Sequence, residues 1–286
     1  MRGLLMAVVV FVGCSRGAKV MRVEGMALPE SAIWDPEADV YLVSNIVGEP
    51  FATDDNGFIA RVSPEGKLVD RWIDGASPDV TLHAPRGLAL AGDLVLVADL
   101  GSVRAFDRRS GRPVREIPVA GAVMLNDLVV RGDRVLASDS GLPPKRQPAG
   151  ARHAIYELDP KTGAVTTLLA AEDLGRPNGL AVRGEEVWVA TYGSGELYRL
   201  CGAEICDRQR LPGGGLDGIV VDGTRLYVSS WEAEAVFAGE PGGAFTPLIE
   251  KVASAADIGF DAKRRRLLLP LLEANVLEIR PLPEPH

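Results

Sequence analysis

A repeated segment pattern constrains this 286-residue chain more than any other feature of its sequence. In each copy a tetrapeptide leads into a short apolar run, a turn and a second β-rich run. Five copies align almost without gaps; their tetrapeptides are LPES at 28–31, APRG at 84–87, MLND at 124–127, RPNG at 176–179 and GLDG at 215–218. A sixth copy, which contains Asp257, is looser, and its register is uncertain by one residue.

The spacing of the copies indicates the architecture. Three of the five intervals are 39 or 40 residues, and the two longer ones contain insertions at 46–56 and 141–152. A period of about 40 residues with four short strands per repeat is that of a β-propeller. We therefore predict an all-β, six-bladed β-propeller over residues 19–286, preceded by a signal or lipoprotein segment with a short linker over residues 1–18.

The two ends of the repeat array complement each other. The last repeat ends after its third strand, 276–279, whereas a spare β-rich segment, 19–23, precedes the first repeat. We expect this N-terminal strand to pair into the last blade and close the ring, because closure leaves no unpaired sheet edge.

Composition narrows the classes of partner. Hydrophobic residues make up 47% of the chain, which is typical of a soluble protein with a sizeable core. The formal net charge of −8 argues against nucleic acid, whose phosphate backbone needs clustered Lys and Arg. We expect a monomer that acts on a small molecule and does not bind nucleic acid.

The N-terminal residues have the pattern of an export segment. Arg2 precedes the apolar run 4–12, which is too short to span a bilayer, since that requires about 20 residues. The stretch ending at Cys14 is similar to the lipobox of bacterial lipoproteins, in which this Cys is lipidated, and Ser15 fits an outer-membrane address. An ordinary cleaved signal is the alternative. We therefore expect a periplasmic or outer-membrane protein whose membrane contact is at most the lipid on Cys14.

The two remaining cysteines, Cys201 and Cys206, flank a short predicted turn. In an exported protein a leftover pair of this kind favours a disulfide over a redox or metal motif. We predict a structural bridge that staples one hairpin.

Polar side chains recur at the third position of the tetrapeptides. In a propeller this position lies at the start of the innermost strand and faces the mouth of the central channel. The position is occupied by Glu30, Arg86, Asn126, Asn178, Asp217 and, with its register open, Asp257. One interpretation is a solvated channel mouth. The other is a cation site, because carboxylates and carboxamides are hard oxygen ligands. Arg86 could contact a ligand or form an ion pair with a channel carboxylate.

The loops between second and third strands should open on the same face. Tyr192 and Trp231 lie at the start of such loops and are predicted to contact substrate, and Asp139 is a candidate independent base. No Ser or Cys nucleophile motif accompanies His83 or His153, so a Ser-His-Asp mechanism has no support.

The tetrapeptides with their flanking residues resemble the SMP-30/gluconolactonase/LRE family. The resemblance rests on Glu30, on Leu-Asn-Asp at 125–127, on Arg-Pro-Asn-Gly-Leu at 176–180 and on Leu-Asp-Gly-Ile at 216–219, and it covers about residues 26–279. It implies a six-bladed propeller that holds one divalent cation through Glu30, Asn126, Asn178 and Asp217. Calcium is the expected ion, with magnesium, manganese and zinc as alternatives. The resemblance also implies that Asp217 doubles as a proton acceptor.

One position departs from the family pattern. Sugar-lactonase members usually have an Arg two residues before the blade-three Asn, and here that residue is Met124. A thioether cannot donate a hydrogen bond to a sugar hydroxyl. The departure puts gluconolactone in doubt and favours a less polar or differently shaped substrate in contact with Met124.

Two functions are consistent with these features. The first is a metal-dependent hydrolase of a lactone or related ester, which the complete ligand set favours. The second is a non-catalytic cell-envelope propeller lipoprotein with a structural ion that serves as a ligand-binding or interaction module, since a fold alone does not determine function.

Overall fold

The computed structural model describes residues 19–141 and 153–283. Within them the chain forms twenty-four β-strands in six four-stranded sheets. The innermost strands contact one another in sequence order around a ring, and the last meets the first. The predicted six-bladed β-propeller is confirmed. No helix long and apolar enough to cross a bilayer occurs in these two ranges.

The strands of each blade are numbered from the channel outwards. Blades one to three consist of β2 (Pro29–Asp35), β3 (Val40–Asn45), β4 (Phe58–Val62) and β5 (Leu68–Asp74); β6 (Pro85–Ala91), β7 (Leu94–Asp99), β8 (Ser102–Asp107) and β9 (Pro113–Pro118); and β10 (Leu125–Arg131), β11 (Arg134–Asp139), β12 (His153–Leu158) and β13 (Val165–Ala171). Blades four to six consist of β14 (Pro177–Arg183), β15 (Glu186–Thr191), β16 (Glu196–Cys201) and β17 (Glu204–Arg210); β18 (Leu216–Asp222), β19 (Arg225–Ser230), β20 (Ala235–Gly239) and β21 (Thr246–Glu250); and β22 (Gly259–Asp261), β23 (Arg266–Leu271), β24 (Val276–Pro281) and β1 (Met21–Val23).

The N-terminal strand closes the ring, as predicted. β1 pairs antiparallel with β24, with Met21 opposite Ile279 and Val23 opposite Leu277. The two ends of the described chain therefore belong to one sheet, and the last blade has its full four strands.

The core lies between the blades. Six clusters of buried apolar side chains each join two neighbouring sheets. Strand β7 shows the cause: Leu96 packs towards blade three, whereas Val95 and Val97 pack towards blade one. Because successive side chains of a strand point to opposite faces, a strand buried on both faces needs an apolar run.

The innermost strand of each of blades one to five carries a β-bulge at the ring position. Between β2 and β3 the regular pairing breaks across Glu30 and Ser31, so that both residues face Ser44. A bulge of this type redirects side chains and is common beside functional sites. The same break spans the other ring positions, Arg86, Asn126, Asn178 and Asp217.

Serine hydroxyls satisfy backbone groups at three of these bulges. The N–H of Ser31 donates to Ser44 Oγ at 2.9 Å, and the N–H of Gly218 donates to Ser229 Oγ at 2.8 Å. In blade three the N–H of Asp127 donates in the same way to Ser138 Oγ at 3.0 Å. These bonds hold the ring residues in place, since a buried donor without a partner is costly.

Blade six resolves the open register. Asp257 lies opposite Ser31 of blade one, one layer below the ring, and Ala256 takes the ring position. The hydrogen bonds of the bulge serines give the same register. Ser138 of blade three donates to the carbonyl of Asn178, the ring residue of the next blade, and Ser229 of blade five donates to the carbonyl of Ala256 in the same way. Asp257 is therefore not a member of the ring.

Candidate functional site

A cavity of about 420 Å³ lies over the ring. All eight residues that the sequence predicts to hold the metal or contact the substrate line it: Glu30, Asn126, Asn178, Asp217, Arg86, Met124, Tyr192 and Trp231. The bulged strands bring the first four from four different blades. Sequence repetition thus places distant side chains around one space.

Each of the four predicted metal ligands presents one buried oxygen that has no hydrogen-bond partner. The atoms are Glu30 Oε2, Asn126 Oδ1, Asn178 Oδ1 and Asp217 Oδ1. Their residues are at most 4% exposed. A buried polar atom without a partner is costly, and such atoms are rare in folded proteins. Four of them on one cavity constitute a specific feature of this site.

Burial also acts on the two carboxyl groups of the ring. It raises the pKa of Glu30 well above its usual range, against the opposing effect of Arg86. It raises the pKa of Asp217 to about 8; the charge of Asp257 adds to this effect, whereas Trp231, Arg86 and Asn178 oppose it. Without a bound cation, the site therefore resists carrying two negative charges.

These residues fit a divalent cation of the hard, oxygen-preferring kind. Two carboxylates and two carboxamides offer four unpartnered oxygens, which is the donor chemistry of calcium, magnesium or manganese. The described residues contain no group of three or more His, Cys, Asp or Glu placed to hold a metal. Asn126 and Asn178 would therefore supply half of the protein donors.

Arg86 forms the ion pair that was one of its two predicted roles. Its Nη1 lies 3.5 Å from Glu30 Oε1, and its Nη2 donates to the carbonyl of Pro50 at 3.1 Å. The guanidinium carbon also lies 6.0 Å from the ring centre of Phe51. Because Arg86 lines the cavity as well, the ion pair does not remove it from contact with a ligand.

Asp139 does not line the cavity. Its carboxylate is 2% exposed and accepts backbone N–H groups from Val123, Met124 and Gly141 at 2.9–3.0 Å. Asp99 occupies the equivalent place in blade two and accepts the N–H groups of His83 and Ala84. These bonds fix the loop that carries Met124, and the role of Asp139 as an independent base stays a prediction.

The cavity walls are mainly apolar and aromatic. Tyr192 and Trp231 pack edge to face with ring centres 5.9 Å apart, and Met124 is 6% exposed. Sequence reasoning missed Phe51, which lies in the blade-one insertion, and Arg176, which lies two residues before Asn178. The long insertion of blade one could have indicated that Phe51 reaches the cavity. For Arg176, the one available indication was its position at the start of the blade-four tetrapeptide.

A second pair of acids lies in the channel below the ring. Asp127 and Asp257 belong to blades three and six and line a separate cavity of about 520 Å³. Asp127 accepts the N–H groups of Leu128 and Leu180, and Asp257 accepts the hydroxyl of Ser31. Neither residue lines the cavity above.

The two cysteines of blade four form the predicted bridge. Cys201 and Cys206 are disulfide-bonded across the hairpin of β16 and β17, with their Cα atoms 6.2 Å apart. Neither residue lines the candidate site. Cys14, the predicted lipidation site, lies outside the described residues.

Known structures resemble this fold. No protein-family model matches the sequence, and no curated protein matches it. A gluconolactonase of Xanthomonas campestris is 24% identical, with a TM-score of 0.69 over 92% of this chain and 89% of that one. A structural-genomics target named as a candidate gluconolactonase is 18% identical, with a TM-score of 0.70 over 93% and 92%. A streptogramin B lyase is 10% identical, with a TM-score of 0.61 over 92% and 97%.

These likenesses confirm, at the level of the fold, the resemblance to gluconolactonase-like propellers that the sequence predicts. The streptogramin B lyase is named for a different reaction although its fold is similar. The fold therefore does not determine the reaction of this chain, which depends on the residues of its own site.

Proposed function

We propose that this protein is a divalent-metal-dependent hydrolase of lactones or related esters. The observation that carries the proposal is the set of four unpartnered oxygens, from Glu30, Asn126, Asn178 and Asp217, on one cavity. The named gluconolactonase with this fold supports the same class of reaction. We expect calcium to be the native ion.

A divalent cation bound by these four residues would polarise the substrate carbonyl and lower the pKa of a bound water. Asp217 has a second oxygen in addition to the unpartnered one, so it can accept the proton that the attacking water releases. Arg86 offers a fixed positive charge beside Glu30, where it can stabilise negative charge that develops on the substrate oxygen. Tyr192 and Trp231 line the same cavity, where their rings can pack against the substrate.

The cavity favours an apolar lactone over a sugar lactone. Met124 stands where a sugar-lactonase would have a hydrogen-bond donor, and Leu28, Ile46 and Phe51 line the same cavity. Burial of the apolar parts of a ligand against such walls favours binding. Burial of a hydroxyl group that finds no hydrogen-bond partner there disfavours binding.

The alternative is a ligand-binding or interaction module with a structural ion. In such a module the structural ion would bind to the same four oxygens. A similar structure from a nidogen/laminin complex, 19% identical with a TM-score of 0.58 over 75% of this chain and 76% of that one, shows this fold in a protein–protein complex. The two functions predict different effects of the ion. In a hydrolase the ion is required for turnover, whereas a structural ion stabilises the protein and no turnover occurs.

The proposal is tested by turnover of a panel of aliphatic, aromatic and sugar lactones with calcium, magnesium, manganese or zinc. We expect hydrolysis of apolar lactones that depends on an added ion and is lost in Asp217→Asn and Asn178→Ala. The matched control is Asp257→Asn, which changes a buried channel carboxylate outside the cavity; it should retain turnover, with a change confined to the pH dependence because Asp257 acts on the pKa of Asp217. No turnover with any ion and any lactone would overturn the proposal, and a loss of stability alone in Asn178→Ala would then assign the ion a structural role.

A further inference from the structure

Arg176 is a cation on the cavity wall for which the described residues provide no counter-charge. It lies beside Asn178 and lines the same cavity. Its Nε donates to the carbonyl of Ser140 at 3.3 Å, and its guanidinium carbon lies 5.4 Å from the ring centre of Tyr192. These contacts use one N–H and one face of the guanidinium. Among residues 19–141 and 153–283, no carboxylate comes within ion-pair distance of it.

Two other arginines that are buried or half-buried have carboxylate partners. Arg104 pairs with Asp99 at 2.5 Å, and Arg108 pairs with Asp35 at 2.5 Å. A partly buried cation without a counter-ion costs stability, so its place on a cavity wall is better explained by a ligand than by folding.

The backbone at Arg176 is also held in an uncommon conformation. Its φ of 59° lies in the left-handed region, which costs a residue with a side chain about 1 kcal/mol or more. The N–H of Tyr192 donates to the carbonyl of Arg176 at 3.0 Å and fixes this turn. Leu28 and Gly215 occupy the same tetrapeptide position with φ of 53° and 59°, so the turn recurs in other blades, and at Arg176 it fixes where the side chain leaves the backbone.

The carboxylates of the cavity are not available to Arg176. Glu30 and Asp217 are the two acids on its wall, and both are assigned to the cation in the proposed function. The rest of the wall is dominated by apolar and aromatic residues, among them Met124, Phe51 and Trp231. A ligand that satisfies the whole cavity must therefore combine an apolar body with one negative charge.

We propose that the substrate is an apolar lactone or ester that carries a carboxylate, and that Arg176 binds this carboxylate. This inference rests on the proposed function for the reacting group, but the binding role of Arg176 is independent of turnover. Arg176 is thereby a specificity-determining residue. A guanidinium can engage a carboxylate through two parallel N–H groups, which gives orientation as well as affinity.

Binding of matched, slowly hydrolysed probes tests the inference. The probes are a phenyl-substituted γ-lactam with a ring carboxylate and its neutral primary amide, titrated calorimetrically into the protein with and without calcium. We expect the carboxylate probe to bind the wild type about tenfold or more tighter than the amide, as a charged hydrogen bond of this kind allows. In Arg176→Met the two probes should bind equally, and Arg176→Lys should restore part of the preference.

Arg208→Met is the matched control. Arg208 lies 5.4 Å from the ring centre of Tyr198 in the same blade, but it pairs with Glu196 and is outside the cavity. This variant should keep the full preference for the carboxylate probe. Thermal unfolding shows whether either variant has lost its fold.

The inference is overturned if the wild type binds neither probe, if it shows no preference for the carboxylate, or if folded Arg176→Met keeps the preference. Its failure is distinct from failure of the proposed function. Turnover of neutral lactones without a carboxylate preference would refute the role of Arg176 alone. A preference that depends on Arg176, in a protein without turnover, would refute the hydrolase alone.

Discussion

The guanidinium of Arg86 lies 3.5 Å from the carboxylate of Glu30, and the two buried side chains join blade two to blade one at the mouth of the channel. The contact engages Glu30 Oε1 and leaves Oε2 without a partner. Arg86 thus offsets part of the cost of burying Glu30 while one oxygen stays available to a cation. It also brings a positive charge close to the place where that cation would bind.

Replacing Arg86 by Met should destabilise the ion-free protein and strengthen its response to calcium. Loss of one partner from a buried ion pair typically costs about 3–5 kcal/mol, because the other charge is left uncompensated. A bound cation would replace the lost positive charge, and it would no longer be repelled by the guanidinium. Thermal unfolding with chelator and with saturating calcium measures both effects, and we expect a larger calcium-induced rise in Tm than in the wild type.

Arg104→Met provides the comparison, because it breaks the buried pair with Asp99 away from the cavity. This variant should lose stability without any change in the calcium response. An Arg86→Met protein whose Tm rises with calcium no more than that of the wild type would show that Arg86 does not influence the ion site.

Asp139→Ala should affect stability rather than metal binding. The substitution leaves the N–H groups of Val123, Met124 and Gly141 without their acceptor, at a cost of about 2 kcal/mol or more. The four ring oxygens are unchanged, so calorimetric titration should still show one calcium site. Abolished calcium binding in a folded Asp139→Ala protein would contradict the structural role assigned to this residue.

Asp257 should make the ion-free protein less stable as the pH rises. Burial raises its pKa from the ordinary 3.8 to about 7, so between these values the native chain holds a proton that the unfolded chain has released. Under this condition stability falls with increasing pH until the native group has ionised. Asp257→Asn cannot ionise and should therefore gain stability relative to the wild type across this range, by at least about 1 kcal/mol above pH 7.

Thermal unfolding in chelator at pH 5 and at pH 8 measures this difference. A gain of that size corresponds to about 2–4 °C in Tm at pH 8 for a domain of roughly this size, with a smaller difference at pH 5. Equal differences at the two pH values would show that Asp257 does not titrate with a raised pKa.

Removal of the disulfide should have a modest, local effect. Cys201 and Cys206 are five residues apart in sequence and join the outer two strands of blade four. A bridge that closes so short a loop contributes about 2 kcal/mol or less. The double substitution by Ser should therefore lower Tm by a few degrees and leave ligand binding intact. Loss of the folded propeller, or of calcium binding, would assign the bridge a larger role than its position indicates.

The fold could be predicted from the sequence because a propeller repeats one unit. The six copies of the repeat indicated the number of blades, and the spare strand 19–23 indicated the closure that β1 and β24 make. Residues that keep their place in a repeat, such as Asn126 and Asn178, could be assigned to the ring for the same reason. Features that are common to all blades could therefore be predicted from the sequence.

Features particular to one blade were not accessible. The ring position of blade six belongs to Ala256, and the register is settled by the bridge between Ser31 and Asp257 and by the bond from Ser229 to the carbonyl of Ala256. Asp139 directly precedes Ser140, which lines the cavity, yet its own carboxylate accepts the backbone N–H groups of Val123, Met124 and Gly141. The left-handed turn at Arg176 recurs at Leu28 and Gly215, but an arginine at this position occurs in blade four and has no counterpart at those two residues.

The central claim is that four oxygen-bearing side chains from four blades bind one divalent cation. Metal analysis by mass spectrometry, combined with calorimetric titration of calcium into chelator-treated protein, tests it directly. We expect one ion per chain in the wild type and in Asp257→Asn, and none in folded Asn126→Ala/Asn178→Ala, which lacks two of the four oxygens. A wild type that binds no divalent cation, or a double variant that binds one as tightly as the wild type, would contradict the claim.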